Sequence, residues 1–579
     1  MSKLYKAFSG ELYKILHLPI TYIFTALLIV AVVVSCVTFK SQNDYKPIYS
    51  LSGSTKAEIE TNFASSSASM NKSKADTALE AAFTKLNNVK ERSSTLEKLE
   101  SKISDRSETG AFAIFKGEFT NALNSDNISG LQNARSSMQT ALSEAKNTLE
   151  DSIKNENLSI LISNSNYDNF KKDLETTINI VAMISTKSKE VNEIETYKEI
   201  STELTNSNLL EKLKNYLLND VSDIVLQDGS YERLDGLYQK AKNQQETIIN
   251  DSNTQKTNNN VSVETYRNTL LSYFYVTEQY VSLVDNTILY DNVVNYMDST
   301  VKRYKGYEDF TLYKLRESIT KNTYLLENGL TDLTFGQNFK AGAINTTNAS
   351  AFDLMYYGMN ICSIILLLLA VCLITRQIAG EHSDGSLKVL LTYPFKRHKV
   401  LSSKILSTLF VTFVLLLIAM LILFITGAAM YGLDSTTILS VFNGQSAFEI
   451  SSVGLLAIYF GLILFKLLFF ILLTVTIAII FKNKWVTLGI SLGLLCLNIL
   501  APLFLGNSIL FAYTPFSGID LFKYFGNGFI TGNSNLFISM LESPVYLNSN
   551  FYVSISTVLV TMIACVIISY SLFRSRKFN

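Results

Sequence analysis

Apolar and polar positions divide this chain into two kinds of territory. Long, nearly charge-free runs cover Ile20–Phe39 and then most of the chain from Phe352 onward. Each reaches the ~18–20 apolar residues that cross a bilayer as a helix. They predict six spans: Ile20–Phe39, Phe352–Thr375, Val400–Tyr431, Val453–Phe481, Val486–Leu505 and Tyr552–Phe573. Before the first span, Leu4, Phe8, Leu12 and Ile15 recur at helical spacing, with Lys3, Lys6, Glu11 and Lys14 between them. That pattern predicts an amphipathic interfacial helix over 1–18, with its lysines near anionic headgroups. A straight extension of the first span, 19–40, is the alternative. Pro19 is placed to open that span.

Between the first and second spans lies a polar region, 41–351, rich in Asn, Ser, Thr, Lys and Glu. No proline occurs between Pro47 and Pro394. At the usual ~5 % frequency, about fifteen would be expected there. Turn-rich β domains use proline, so its absence favours helices. Three stripes at spacings of three and four agree. They are Met138, Leu142, Ala145, Leu149 and Ile153, then Phe170, Leu174, Ile178 and Val181, then Tyr266, Leu270, Phe274, Val281 and Val284. Breaks fall near Gly110–Gly117, Ser125–Gly130, Asp228–Gly229, Asn250–Asn260 and Gly329–Gly342. The expectation is an all-α membrane protein with a coiled-coil-like extracellular helical domain between its first and second spans.

Charge fixes the predicted orientation. Arg376 to Lys404, then Lys482 and Lys484, then Arg574, Arg576 and Lys577 mark the inside by the positive-inside rule. The loop Leu433–Ser452 has no Lys or Arg, and Gly506–Phe551 has only Lys523. Both termini are therefore expected in the cytoplasm, with 41–351 outside a multi-pass cell-membrane protein. Segment 506–551 carries short apolar pieces between Gly and Pro breaks and is expected to lie in the outer interface or dip into it. Lys+Arg and Asp+Glu balance at 50 each, so nothing in the net charge draws in nucleic acid.

The five cysteines all sit in apolar runs, which excludes a disulfide framework for the polar middle. No His/Cys/Asp cluster has metal-ligand spacing, and no nucleophile–base–oxyanion set stands out. No G-x-x-x-x-G-K-[ST] occurs, so no phosphate cradle is expected on this chain. Leu51-Ser52-Gly53-Ser54 superficially matches an ATPase signature stretch but lies on the outer side. Lys466 stands alone deep within a span. At mid-membrane it costs about 2.5–3.5 kcal/mol on insertion scales. It is either a polar point on a translocation path or dimer seam, with Asn360 and Asn498 as weaker members, or a lysine whose stem snorkels.

The island from Arg376 to Lys404 is the candidate coupling element. Glu381 lies below one span, and Gly385 allows a turn. Leu387, Leu390 and Leu391 form an apolar face beside Lys388, and Pro394 ends the helix. From the residues alone, such a helix suits docking into a partner's cleft or lying against headgroups. Gly380-Glu381, Gly385-Ser386-Leu387, Leu390-Leu391, Pro394, Arg397 and Lys404 resemble the signature loop of ABC transporter permeases of the type-2 exporter family. The interfacial helix, the six spans and the amphipathic pieces before the last span are similar to that family too. The resemblance covers about the first forty residues and everything from Phe352. It implies that the segment with Glu381, Asp384, Gly385, Leu387, Lys388, Leu390, Leu391, Pro394, Arg397 and Lys404 couples to a separate ABC ATPase subunit. ATP and Mg would be held there and no cofactor here. It also implies pairing with a second copy or a sister permease among membrane lipids. Export of a peptide or antimicrobial compound is the expected activity. The large outer region departs from many members, leaving the cargo open. An accessory or receptor-like protein of a secretion system, not driven by an ATPase, is the competing class.

Overall fold

The computed structural model describes residues 3–43, 55–65, 71–104, 121, 226–296, 309–332, 350–386, 396–433, 437–505, 514–526 and 550–575. The two stripes at Met138–Ile153 and Phe170–Val181 lie outside them. So do the breaks near Gly110–Gly117 and Ser125–Gly130.

The described chain is mostly helical. Helix α1 (Lys3–Leu16) ends at His17 and Leu18, and α2 (Pro19–Asn43) starts afresh. The interfacial helix is thus separate and not an extension of the first span. Next come α3 (Lys56–Ala64), α4 (Lys72–Ser104), α5 (Ser230–Thr257), α6 (Val263–Tyr296) and α7 (Asp309–Glu327). Helix α8 (Ala351–Ile374) opens on a reciprocal capping box. Asp353 Oδ2 accepts from the Ser350 N–H at 2.8 Å, and Ser350 Oγ accepts from the Asp353 N–H. It runs into a π-helical turn, Thr375–Gly380, and the short α9 (Glu381–Ser383). Then come α10 (Arg397–Tyr431), the strands β1 (Thr437–Phe442) and β2 (Ser446–Ser451), α11 (Ser452–Phe481) and α12 (Lys484–Leu505). The short α13 (Pro515–Gly518), a 3₁₀ turn Leu521–Phe525 and α14 (Phe551–Ser575) complete the chain.

The all-α expectation needs one correction. Thr437–Ser451 is an antiparallel hairpin, with Thr437 opposite Ser451 and Phe442 opposite Ser446. Its turn places Asn443 and Gly444 at φ +55° and +66°, the positive φ at both central residues that a type I′ turn demands. Ile438, Leu439 and Val441 on β1 are buried.

Five helices are long and apolar enough to cross a membrane: Pro19–Ser41, Ala351–Ser383, Arg397–Tyr431, Ser452–Phe481 and Phe551–Ser575. Helix α12 is a further apolar helix. In α8 and α11, 67 % of the apolar window is buried, against 22–33 % in the other three. These two are therefore the inner pair, and the others expose wide apolar faces. Helix α8 touches α2, α10 and α11. Close approach of α8 to α10 depends on glycine: a Cβ on Gly427 would sit 2.9 Å from Ala351 Cα.

The chain divides into two compact units, 1–77 with 239–283 and 308–579, and 78–238 with 284–307. Within the first, the described part of the third stripe is an inward face, with Tyr266, Leu270 and Phe274 all buried. Phe63 packs edge-on against Tyr273 and Phe274, and Lys56 caps carbonyls of Gln255 and Asn258 at 2.7 Å. Within the second, Phe83 stacks on Tyr238 at 3.9 Å, Lys90 lies over the Tyr231 ring, and Tyr231 donates to Asn87.

Candidate functional site

Two lysines within the apolar bundle define two sites. The first lies where α1, the end of α8 and the start of α10 meet. The π-helical turn inserts one extra residue into the end of α8, which re-aims the side chains beyond it. Glu381, first residue after it, points toward α10. There Lys404 Nζ donates to Glu381 Oε2 at 2.7 Å and lies 3.2 Å from Glu11 Oε2. Lys14 Nζ reaches Glu381 Oε1 at 3.3 Å and Glu11 Oε1 at 3.4 Å. Two carboxylates and two ammoniums thus close into a neutral ring joining three elements. Burial of the Lys404 side chain is nearly complete at 1 % exposure, and Glu11 is 5 % exposed. Burial pulls the Lys14 ammonium down, but Glu11 and Glu381 outweigh it and hold its pKa above the ordinary lysine value.

Lys404 is therefore inside the fold and not on a face that a partner would touch. Around the ring, Arg376 pairs with Asp384 at 3.5 Å, half exposed, and Gly385 takes φ +75°. Arg397 Nη1 donates to the Arg574 carbonyl at 3.3 Å, tying the start of α10 to the end of α14. Leu387, Lys388, Leu390, Leu391 and Pro394 lie outside the described residues.

The sequence reading placed Glu11 among the polar residues of α1. Yet Leu4, Phe8, Glu11 and Ile15 are spaced four, three and four apart, which is one helical face. That register was the available signal: an acid in an apolar stripe seeks a buried cation.

The second site is in the middle of the bundle. Lys466 on α11, Asn360 on α8 and Asn498 on α12, far apart in the chain, line one cavity of about 60 Å³. Tyr459 and Asp520 line it too. Tyr459 lies seven residues from Lys466, two turns along the same face, and its hydroxyl donates to Asn360 Oδ1. Asn498 is buried at 8 % exposure, and its Oδ1 has no hydrogen-bond partner. Among the described residues no carboxylate pairs with Lys466.

The cavity's roof is clamped by the hairpin. The Asn443 N–H donates to the Tyr524 carbonyl at 2.6 Å, and the Tyr524 hydroxyl meets Ser554 Oγ at 2.6 Å. Arg316 and Thr320 on α7 donate to the Asn443 and Gly444 carbonyls. Ile519 and Phe522 are consequently buried in the main core. The described part of 506–551 packs into the bundle and does not lie loose at its surface.

No curated protein and no solved structure matches the chain. A family model described as ABC-2 family transporter protein matches residues 8–577, nearly the whole chain. With at least five membrane-crossing helices among the described residues, this is an integral membrane protein, and the chain belongs to the ABC-2 transporter family, the permease component of ABC transporters.

Proposed function

We propose that this chain is the permease subunit of an ABC exporter, worked from the cytoplasmic side by a separate ATPase that binds ATP and Mg. Helix α12 then serves as a sixth crossing, both termini are cytoplasmic, and residues 41–351 are extracellular. The ATPase docks under segment 376–404, with the apolar residues Leu387, Leu390 and Leu391 in its groove. Permeases of this family normally work with such a partner, and two chains, alike or sister, form the transporter.

The observation that carries this reading is the Glu11–Lys14–Glu381–Lys404 ring. A docking loop transmits force only if its base is fixed to the helices it moves. Glu381 sits at that base, held by Lys404 on α10 and by Lys14 on α1. Charges buried and paired this way are strongly destabilised when one partner is lost, so loop, interfacial helix and third span move together. Cargo travels past Lys466, Asn360 and Asn498; a peptide or other amphipathic compound suits that half-polar route. The outer helices engage cargo or a surface partner.

The test uses the full chain co-expressed with its ATPase. Leu391→Asp should abolish co-purification while leaving the permease folded. Cysteines introduced at Ser54 and Ser386 should be labelled from outside and inside respectively. Retained ATPase binding by Leu391→Asp, or labelling of position 386 from outside, would overturn the assignment.

A further inference from the structure

The cavity around Lys466 has a chemistry that its place on a transport route does not specify. Lys466 lies at the midpoint of α11, a 30-residue helix, with no carboxylate partner among the described residues. A lone ammonium there is expensive, so intramembrane cations ordinarily pair or face a functional ligand. Asp520 is the one acid in the lining, and its charge already acts on Lys523, opposing the fall of that ammonium's pKa. The lining with its neighbour Lys523 is left with one uncompensated positive charge.

The other polar groups are poised to finish a site. Tyr459 occupies Asn360 Oδ1, which leaves the Asn360 amide N–H free to turn inward. Asn498 is buried with its oxygen unpartnered, an arrangement that ordinarily costs about 1–3 kcal/mol. Its carboxamide can give a ligand one donor and take one hydrogen bond. At about 30 Å³ per water in the liquid, the space holds one small headgroup. The remaining wall, with Ile364, Leu367 and Leu495, is apolar.

We propose that this cavity binds the singly charged oxyanion head of a single-tailed amphiphile, a carboxylate or phosphodiester, against Lys466. The Asn360 and Asn498 amides flank the head, and the tail runs along the apolar wall. This rests on the reading of the bundle as a transport route and narrows its cargo to anionic amphiphiles, but binding needs no ATPase. The head comes either from cargo or from a bilayer lipid.

The experiment is retention of radiolabelled oleate by the full chain in neutral maltoside micelles, without ATPase or nucleotide. Oleate should bind saturably, about tenfold tighter than uncharged oleyl alcohol, as expected for one charge-assisted contact. Lys466→Met should lose that preference, Lys466→Arg should keep it, and Asn498→Leu should weaken oleate several-fold. Melting of each variant is read alongside, and Lys466→Met should melt no lower than wild type. Displacement of oleate by phosphatidylglycerol would assign the site to bilayer lipid, and its failure to displace would assign it to a carboxylate cargo. Equal binding of oleate and oleyl alcohol, or an unchanged preference in Lys466→Met, would overturn the proposal and leave the ATPase-docking reading standing.

Discussion

Lys404 and Lys466 are both lysines within apolar helices, and they have opposite surroundings. Lys404 has two carboxylates within 3.2 Å and is 1 % exposed. Lys466 has none among the described residues and lines an open space beside two asparagines. A buried charge whose partners come from three elements of the same chain is structural. A buried charge left without one is available to something that arrives later. The same residue type thus marks a joint in one place and a receptor in the other.

The contrast is broken most severely by removing each ammonium in turn. Lys404→Met leaves Glu11 and Glu381 with only Lys14, and should destabilise the chain by about 3 kcal/mol, the low end for breaking a buried pair. Lys466→Met should act in the opposite sense, gaining up to about 2.5 kcal/mol by deleting an unpaired mid-membrane charge. Thermal melting of both variants in one detergent reads the two signs. A next effect sharpens the first site. Exchanging Glu381→Lys with Lys404→Glu should recover part of the loss caused by either change alone, with a coupling of about 1–3 kcal/mol. No recovery would mean that Glu11 and Lys14, not the Glu381 pair, fix the joint.

How far the sequence reached obeys the same division. Long apolar runs and the stripe on α6 were legible because burial repeats with the helical period. Lys466, Asn360 and Asn498 could be picked out singly, each as a polar residue in an apolar run, but their meeting at one cavity is a tertiary fact. The pairing of Lys404 was harder still, since Glu11 sits near the other end of the chain. The hairpin was a miss with a signal in plain view: Asn443-Gly444 between Thr437–Phe442 and Ser446–Ser451 carries the turn chemistry of a two-stranded ribbon. Reading that segment only for its lack of basic residues hid it. The segment's role is to hold Tyr524, and through it Phe522, over the cavity.

Smaller effects probe the cavity's polar rim. Asn498→Leu should stabilise the chain by about 1 kcal/mol, because it deletes a buried acceptor that has no donor, while lowering export. Lys523 gives a pH signature. Burial pushes its ammonium down to about 8 from the ordinary 10.5, against the pull of Asp520. Between those values the unfolded chain holds a proton that the folded chain has released, so stability contributed by this group rises as pH climbs from about 8 to 10.5. Below that window the folded chain bears the full penalty. Lys523→Met should therefore exceed wild-type stability most at and below pH 8 and lose its advantage by pH 10.5. Parallel melting curves across that range would show the slope disappear in the variant.

The joint at Lys404 is tested most directly by counting cargo exported per ATP hydrolysed. The measurement takes the reconstituted permease–ATPase complex, wild type beside Lys404→Met, at equal folded protein. A force-bearing joint predicts that the variant still holds the ATPase and still hydrolyses ATP, with export per ATP falling about tenfold or more, the scale of one lost buried charge contact. An unchanged ratio would contradict it.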